Sequence, residues 1–174
     1  MKKIFIYFLL ILFLSACSSV KRVKDAKYLL TQNTIIINDK KNTNTDLIEL
    51  LVQKPNSKTL GLPLSLYFYN LGDNKKPEKA SDWGNLKPKT YNFIKNVFSE
   101  KQSISFANSM IRLNNWFLKN GQAPITIDDI KIKKTINNLT AYHKNRGYFR
   151  VEVSSNKKLL KNKKGEIDYI INTG

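Results

Sequence analysis

The amino-acid sequence predicts an α+β fold in which a small sheet packs on helices, and three patterns carry this prediction. A β-branched run, Ile35–Ile37, is flanked by Asn and Asp residues that favour turns. A helical pattern stops at Gly147, and apolar residues alternate with polar ones directly after it. A second alternating run, Ile167–Ile171, completes the set. The chain of 174 residues is 41% hydrophobic, which is enough apolar material for one packed domain.

The first predicted strand follows a polar tether and precedes a helix. Residues 17–33 are polar and Lys-rich, and they are expected to tether the strand to the N-terminal segment. Asn44 or Thr45 can cap the helix, and a stripe of leucines follows. Pro55 is expected to end it.

Residues from about 55 to 125 are predicted to form an insertion of loops and helices within a domain that spans residues 34–174. Leu60–Leu71 is densely apolar but interrupted by Gly and Pro, so it fits neither a long helix nor a regular strand. We interpret it as an aromatic plug over the core; the alternative is a patch that faces lipid or a partner. Leu71–Lys89 is predicted to be a long loop anchored by Trp83.

Two helices are predicted within this insertion. The first places Tyr91, Ile94 and Phe98 on one face. The second starts at Ser103 or Ser105 and ends before Gly121. Its apolar stripe consists of Phe106, Met110, Leu113 and Phe117, and its Trp116 and Met110 are expected in the core.

The last helix and the hairpin after it are the clearest patterns. Asp128 and Asp129 are predicted to begin the helix. Gly147, which can adopt the left-handed backbone conformation, is predicted to end it. One stripe of this helix contains Ile132, Ile136, Leu139 and His143. The strand that follows is predicted to point Phe149, Val151 and Val153 at the helices. The hairpin turn is predicted to hold Lys157, Lys158, Lys161, Lys163 and Lys164.

The net charge of +17 comes mainly from lysine, which supplies 26 of the 30 basic residues. Arginine forms bidentate hydrogen bonds with phosphates and bases, which lysine cannot do as well. This composition therefore disfavours a dedicated nucleic-acid-binding protein. We interpret the lysines as a mostly solvated face. Contact with anionic lipid headgroups is an additional expectation from the same charge.

The N-terminal segment has the order of a bacterial signal peptide. Lys2 and Lys3 precede an apolar run, Ile4–Leu14, which is shorter than the roughly 20 residues that span a bilayer. The sequence Leu14-Ser15-Ala16-Cys17 resembles the lipobox, where a peptidase cuts before an acylated cysteine. Residues 1–16 are therefore predicted to be removed.

Cys17 is predicted to carry the acyl chains, such as palmitate, that anchor the mature protein to a membrane. The alternative is a simple signal peptide with a chance thiol. Ser18 stands where lipoproteins retained in the inner membrane typically have Asp, so the resemblance implies an anchor in the outer membrane, with the domain facing the periplasm.

No catalytic constellation is apparent in the sequence. His143 is the sole histidine, expected on a helix surface, and Cys17 is the sole cysteine, so Cys/His catalysis and His-rich metal sites are excluded. The glycines lie too far apart for a phosphate-binding loop. The pair Asp128 and Asp129 suits helix capping better than acid–base work. We therefore expect a protein that is not an enzyme and has no cofactor or metal.

The order of strand, helix, insertion, helix, strand and strand resembles the POTRA domain of the BamA/TamA superfamily of outer-membrane assembly factors, which includes bacterial surface antigens. The match rests on two stretches, which are the final helix with the residues that follow it, Arg146–Val153, and the strand Lys164–Ile171. Trp116–Asp128 resembles the stretch before that helix in lipidated members, and Lys27–Asn38 resembles their first strand. The resemblance implies a β-α-α-β-β domain with a small mixed three-stranded sheet. Members continue through further POTRA repeats into a transmembrane barrel, so this chain is expected to be the N-terminal part of such a protein; the alternative is a freestanding periplasmic module.

The resemblance implies a periplasmic module that guides polypeptides or outer-membrane proteins non-covalently. Clients would add a strand to an exposed sheet edge. The expected edge consists of Arg150, Val151, Glu152, Val153 and Ser154. The alternative function is a standalone basic lipoprotein that binds anionic envelope components, such as lipopolysaccharide or peptidoglycan, through its Lys-rich face.

Overall fold

A computed structural model describes residues 19–73, 93–94 and 96–174. In chain order the strands are β1 (Leu29–Ile37), β2 (Lys40–Asn42), β3 (Glu152–Leu160) and β4 (Lys164–Asn172). The helices are α1 (Thr45–Glu49), α2 (Leu64–Leu71), α3 (Glu100–Asn120) and α4 (Asp129–Asn145). Residues 93–94 and 96–97 are also helical. The expected loop around Trp83, and Tyr91 of the first inserted helix, lie outside the described residues.

The chain divides into two compact units, which we describe separately. The sheet unit combines Val20–Asn56 with Pro124–Gly174. The helical unit contains Ser19 and the described residues between Ser57 and Ala123.

The sheet unit contains one mixed sheet with strand order β2-β1-β4-β3. β1 runs parallel to β4, whereas β2 and β3 are antiparallel to their neighbours. The α+β class is confirmed, and the sheet has four strands instead of three. The additional strand β2 forms because Asn38 and Asp39, both with positive φ, turn the chain back along β1.

β1 begins at Leu29, so Leu29–Asn33 belong to the strand. The residue pattern places them in the polar tether, whereas the family resemblance matches Lys27–Asn38 to a first strand. Leu29 and Leu30 are buried, and the strand pairs with β4 from Leu29 onward. A register shift between Leu30 and Gln32 breaks the apolar alternation at this point. The polar residues Thr31–Asn33 after these leucines therefore resembled a tether in the sequence.

α1 and α4 contribute buried side chains to the core of the sheet unit. Asn44 caps α1 as predicted, but the helix ends at Glu49, well before Pro55. Asp128 caps α4, and Gly147 follows the helix with φ +92°, as predicted. The core contains Leu30, Ile35, Leu47, Leu51, Ile132, Leu139, Val151, Ile167, Tyr169 and Ile171.

His143 is buried in the stripe of α4, so its expected position on the helix surface is wrong. Its Nδ1 lies 2.9 Å from the carbonyl oxygen of Leu139, one helical turn earlier. The rings of Tyr142 and Tyr148 lie 5.3 and 6.1 Å from the imidazole, centroid to centroid. The local hydrogen bond satisfies one ring nitrogen, which allows the side chain to be buried among aromatic rings.

Two buried amide side chains join the two sequence segments of the sheet unit. Gln53 donates from Nε2 to the carbonyl oxygen of Thr126, and its Oε1 accepts from the backbone N–H of Asp128 at 3.2 Å. Asn56 Oδ1 accepts from the N–H of Ile125 at 3.0 Å. These bonds fix the backbone immediately before α4, where the chain returns to the sheet unit.

In the helical unit, α2 packs along α3. α2 begins directly after Pro63, so the proline occupies the N-cap and does not interrupt the helix. The rings of Phe68 and Phe117 stack with centroids 6.4 Å apart. A Cβ added at Gly121 would lie 2.4 Å from the backbone nitrogen of Tyr69, which explains why a glycine ends α3.

The predicted buried face of α3 is wrong. Ser99 caps the helix in a capping box with Gln102, so the helix starts earlier than Ser103. Its buried residues are Ser103, Ala107, Ile111 and Asn114. Asn114 is buried because its side-chain amide makes two hydrogen bonds with the backbone of Asp73, at 2.7 and 3.1 Å.

Of the large apolar residues expected on the buried stripe or in the core, Met110 packs against Ile94 and Ala107, and Phe117 is half-buried beside Phe68, but the others remain largely accessible. Phe106, Leu113 and Trp116 are 45%, 46% and 50% exposed. Apart from Ile111, the buried face consists of small and polar residues, which hydrophobic periodicity does not detect.

Candidate functional site

The outermost strand β3 is the candidate site in the sheet unit. It pairs on one side with β4, and no other strand within the described ranges pairs with its outer side. Nine residues at about 3.3 Å each make an open edge of roughly 30 Å. In an antiparallel strand about half of the residues direct their N–H and C=O away from the neighbouring strand. The edge can therefore accept a further strand.

The predicted edge residues are only partly on this strand. Glu152, Val153 and Ser154 begin β3, whereas Arg150 and Val151 lie before it. The cause is a tight turn after Gly147, in which the N–H of Val151 donates to the carbonyl of Tyr148. Sequence reasoning missed residues 155–160 because their polar, Lys-rich sequence indicated a turn.

The side chains of β3 alternate only in its first half. Val151, just before the strand, is buried, and Val153 packs partly on the core, as predicted. Phe149 is 80% exposed, so its predicted inward orientation is wrong. All side chains from Asn156 to Leu160 are exposed, which leaves this half of the edge accessible.

The predicted five-lysine turn divides into three parts. Lys157 and Lys158 lie on β3, Lys164 begins β4, and Lys161 and Lys163 are in the turn. Lys163 has a positive φ of 53°, as does the preceding Asn162 at 59°. This turn conformation places the two strands in register with Leu160 opposite Lys164.

Ion pairs hold two lysines of the edge strand. Lys157 Nζ lies 2.8 Å from Asp129 Oδ1, and Lys158 Nζ lies 2.6 Å from Asp168 Oδ2. The hydrogen bond and the charge of Asp168 raise the pKa of Lys158 above its ordinary value. Charged side chains along an edge also protect natural sheets against aggregation, so edge protection is the alternative role of these residues.

Within the described part of the chain, no three His, Cys, Asp or Glu side chains gather as they would around a metal ion. In the same residues no helix is both long enough and apolar enough to cross a membrane.

Residues 1–18 match the prokaryotic membrane lipoprotein lipid attachment site. The chain therefore carries the attachment signal of a membrane-anchored lipoprotein, as the N-terminal pattern predicted. No curated protein and no solved structure matches the chain significantly. Cys17 lies within the matched residues.

Proposed function

We propose that this lipoprotein is a POTRA-like module that binds extended polypeptide segments along β3 and helps to guide them during assembly or export. The observation that carries the proposal is the nine-residue open edge of β3 in a sheet where β1 and β4 run parallel. Within this sheet the last strand, β4, lies between the first strand, β1, and the strand after the final helix, β3. The POTRA resemblance implies the same order for these three strands. Acylation of Cys17 holds the module at the outer membrane, facing the periplasm.

Binding at this edge is non-covalent and needs no cofactor. An incoming strand pairs with the outward N–H and C=O groups of β3, and each such hydrogen bond contributes about 0.5–1.5 kcal/mol net. Backbone pairing is independent of side-chain identity, so it suits clients of diverse sequence. The exposed side chains of residues 156–160 add weak selectivity.

A pair of adjacent proline substitutions tests whether β3 binds by its backbone. Ser155→Pro and Asn156→Pro each remove one N–H, and because successive residues alternate in direction, one of the two lost groups points outward. The variant whose lost N–H points outward keeps its hydrogen bonds to β4. Circular dichroism and thermal melting identify it as the variant that remains folded. The probe is a fluorescent ten-residue peptide of alternating Val and Thr, about the length of the nine-residue edge, titrated by anisotropy onto the detergent-solubilised lipoprotein.

The folded proline variant is expected to bind the peptide at least tenfold more weakly than the parent, a loss of about 1.4 kcal/mol that matches one or two hydrogen bonds. An alanine at the same position keeps the N–H and serves as the matched control. Unchanged affinity in the folded proline variant would exclude β3 as the docking edge.

A further inference from the structure

We propose that the sheet unit docks one end onto the anionic phospholipid headgroups of the bilayer that holds its own lipid. The anchored basic end, as we call this surface, comprises residues 21–27 together with residues 161–164. Its basic side chains are Lys21, Arg22, Lys24, Lys27, Lys161, Lys163 and Lys164. The proposal goes beyond strand binding: it depends on lipid attachment and not on β3, so either proposal can fail alone.

The anchored basic end is formed by two segments that are far apart in sequence. The N–H of Leu29 donates to the carbonyl of Lys163 at 2.7 Å, and Leu29 pairs with Lys164 in the sheet. Asp25 Oδ1 accepts from Lys163 Nζ at 2.7 Å. The segment just after the lipid attachment site and the β3–β4 turn therefore lie side by side.

Chain length keeps this end near the membrane. Lys24 follows Cys17 by seven residues, and an extended chain spans at most about 3.6 Å per residue, so their Cα atoms are within roughly 25 Å. Lys27 follows three residues later. A lipid on Cys17 thus places this cluster close to the headgroups before any specific contact forms.

The charge of the anchored basic end is strongly of one sign. Its two segments contain seven basic residues and one carboxylate, Asp25, whose pKa is lowered by the hydrogen bond and charge of Lys163. The nearby Asp128 caps α4, and Asp129 pairs with Lys157. Lys24, Lys27 and Lys161 are exposed.

The opposite end of the sheet carries both signs. It includes Asp39, Lys40, Lys41, Asp46, Lys144, Arg146, Arg150 and Glu152, and Arg146 pairs with Asp46 at 3.7 Å. An anionic surface therefore attracts the two ends unequally, and it favours the end that is already tethered.

Docking at this end sets the direction of the edge strand. β1 and β4 both start at the anchored basic end and run away from it, whereas β3 runs towards it and ends at Leu160. With the basic end on the headgroups, the open edge of β3 extends outward from the membrane over roughly 30 Å. The lipid alone would leave this direction free.

The test uses the lipidated protein in vesicles and exploits its single cysteine. Because acylation blocks Cys17, Leu160→Cys provides one labelling position beside the turn, and Asn172→Cys provides one at the far end of β4. A fluorophore at either position is quenched by a nitroxide on the headgroup of phosphatidylcholine. Vesicles contain phosphatidylcholine alone, or with about one third phosphatidylglycerol or lipopolysaccharide, at low and high salt.

Two triple variants with equal charge change isolate the contribution of the anchored basic end. The near-end variant carries Lys24→Gln, Lys27→Gln and Lys161→Gln. The far-end variant carries Lys40→Gln, Lys41→Gln and Lys144→Gln, which are likewise exposed positions. Each basic residue near an anionic surface changes the docked-to-undocked ratio about fivefold, so the near-end variant should lower it about a hundredfold.

The expected result is strong quenching at residue 160 in phosphatidylglycerol vesicles, little quenching at residue 172, and loss of the signal with the near-end variant or high salt. The far-end variant should behave as the parent. Equal quenching in neutral and anionic vesicles, or equal effects of the two variants, would overturn the proposal. Docking to lipopolysaccharide vesicles only would overturn it too. If circular dichroism shows that Leu160→Cys perturbs the fold, Asn162→Cys in the exposed turn replaces it.

Discussion

Replacing Gln53 by leucine tests whether a buried amide holds the two segments of the sheet unit together. The side chain is 3% exposed and serves two backbone groups, the carbonyl of Thr126 and the N–H of Asp128. Leucine has a similar size but can form neither bond. The contact of Asn33 with the Gln53 backbone carbonyl, at 2.7 Å, does not involve the substituted atoms.

The magnitude of the expected loss follows from the two backbone groups that lose their partner. An unsatisfied buried polar group costs about 1–3 kcal/mol. Thr126 and Asp128 are only half-buried, so water can partly replace the lost hydrogen bonds. The cost of each unsatisfied group is therefore expected near the lower end of this range. We expect Gln53→Leu to lower the free energy of unfolding of the sheet unit by about 2–3 kcal/mol.

Native-state hydrogen exchange read by mass spectrometry is the suitable assay, because the peptide covering β4 reports on the sheet unit separately from the helical unit. Gln32→Leu is the matched control: Gln32 is exposed and its Nε2 donates to Thr34 Oγ1 at 3.3 Å, close to the surface, so the substitution should change stability by less than about 0.5 kcal/mol. A loss below about 1 kcal/mol for Gln53→Leu, or an equal loss in the control, would refute the reasoning.

Three further predictions concern the anchor, the helical unit and the pH dependence of stability. Cys17→Ala should release the protein from membrane fractions, and intact-mass analysis of the parent should show an acylated residue 17 at its N-terminus; unchanged fractionation would contradict the lipid anchor. Gly121→Ala should destabilise the helical unit by about 1–3 kcal/mol in urea unfolding, because the new Cβ would meet the backbone of Tyr69, and a neutral effect would show that α2 can shift. Burial raises the pKa of Tyr169 above 10.0, so the stability it contributes is present below pH 10.0 and is lost as the pH rises through the folded-state pKa. The free energy of unfolding should therefore fall less steeply above pH 10.0 in Tyr169→Phe, and an unchanged slope would argue against this cause.

The sequence predicted the elements whose signals are local. Asp128 caps α4 and Gly147 stops it because both act through adjacent backbone groups. The pairing of residues near Ile35 with those near Tyr169 agrees with the β-branched and alternating runs. The lipid attachment signal is equally local, and its match covers residues 1–18.

Tertiary contacts decided what the sequence could not predict. The buried face of α3 uses Ala107 and Asn114, since close backbone approach and an amide partner outweigh apolar periodicity there. β3 extends through Lys157 and Lys158, which pair with Ile167 and Glu166 of β4, and carboxylates on α4 and β4 lie against the two lysine side chains. No local pattern predicts these partners, and the edge was therefore expected to be shorter than it is.

The parallel pairing of β1 with β4 also determines the order in which the sheet unit can fold. Thr31 and Gly165, joined by a 3.0 Å hydrogen bond, are 134 residues apart, whereas β3 and β4 adjoin a short turn. Closing the long loop carries the larger entropic cost, so the hairpin is expected to form first and to present the free side of β4. β1 then joins as an incoming strand, and until it arrives any other extended segment can compete for β4. The sheet unit thus completes its own fold by the same kind of strand addition that we propose for its clients.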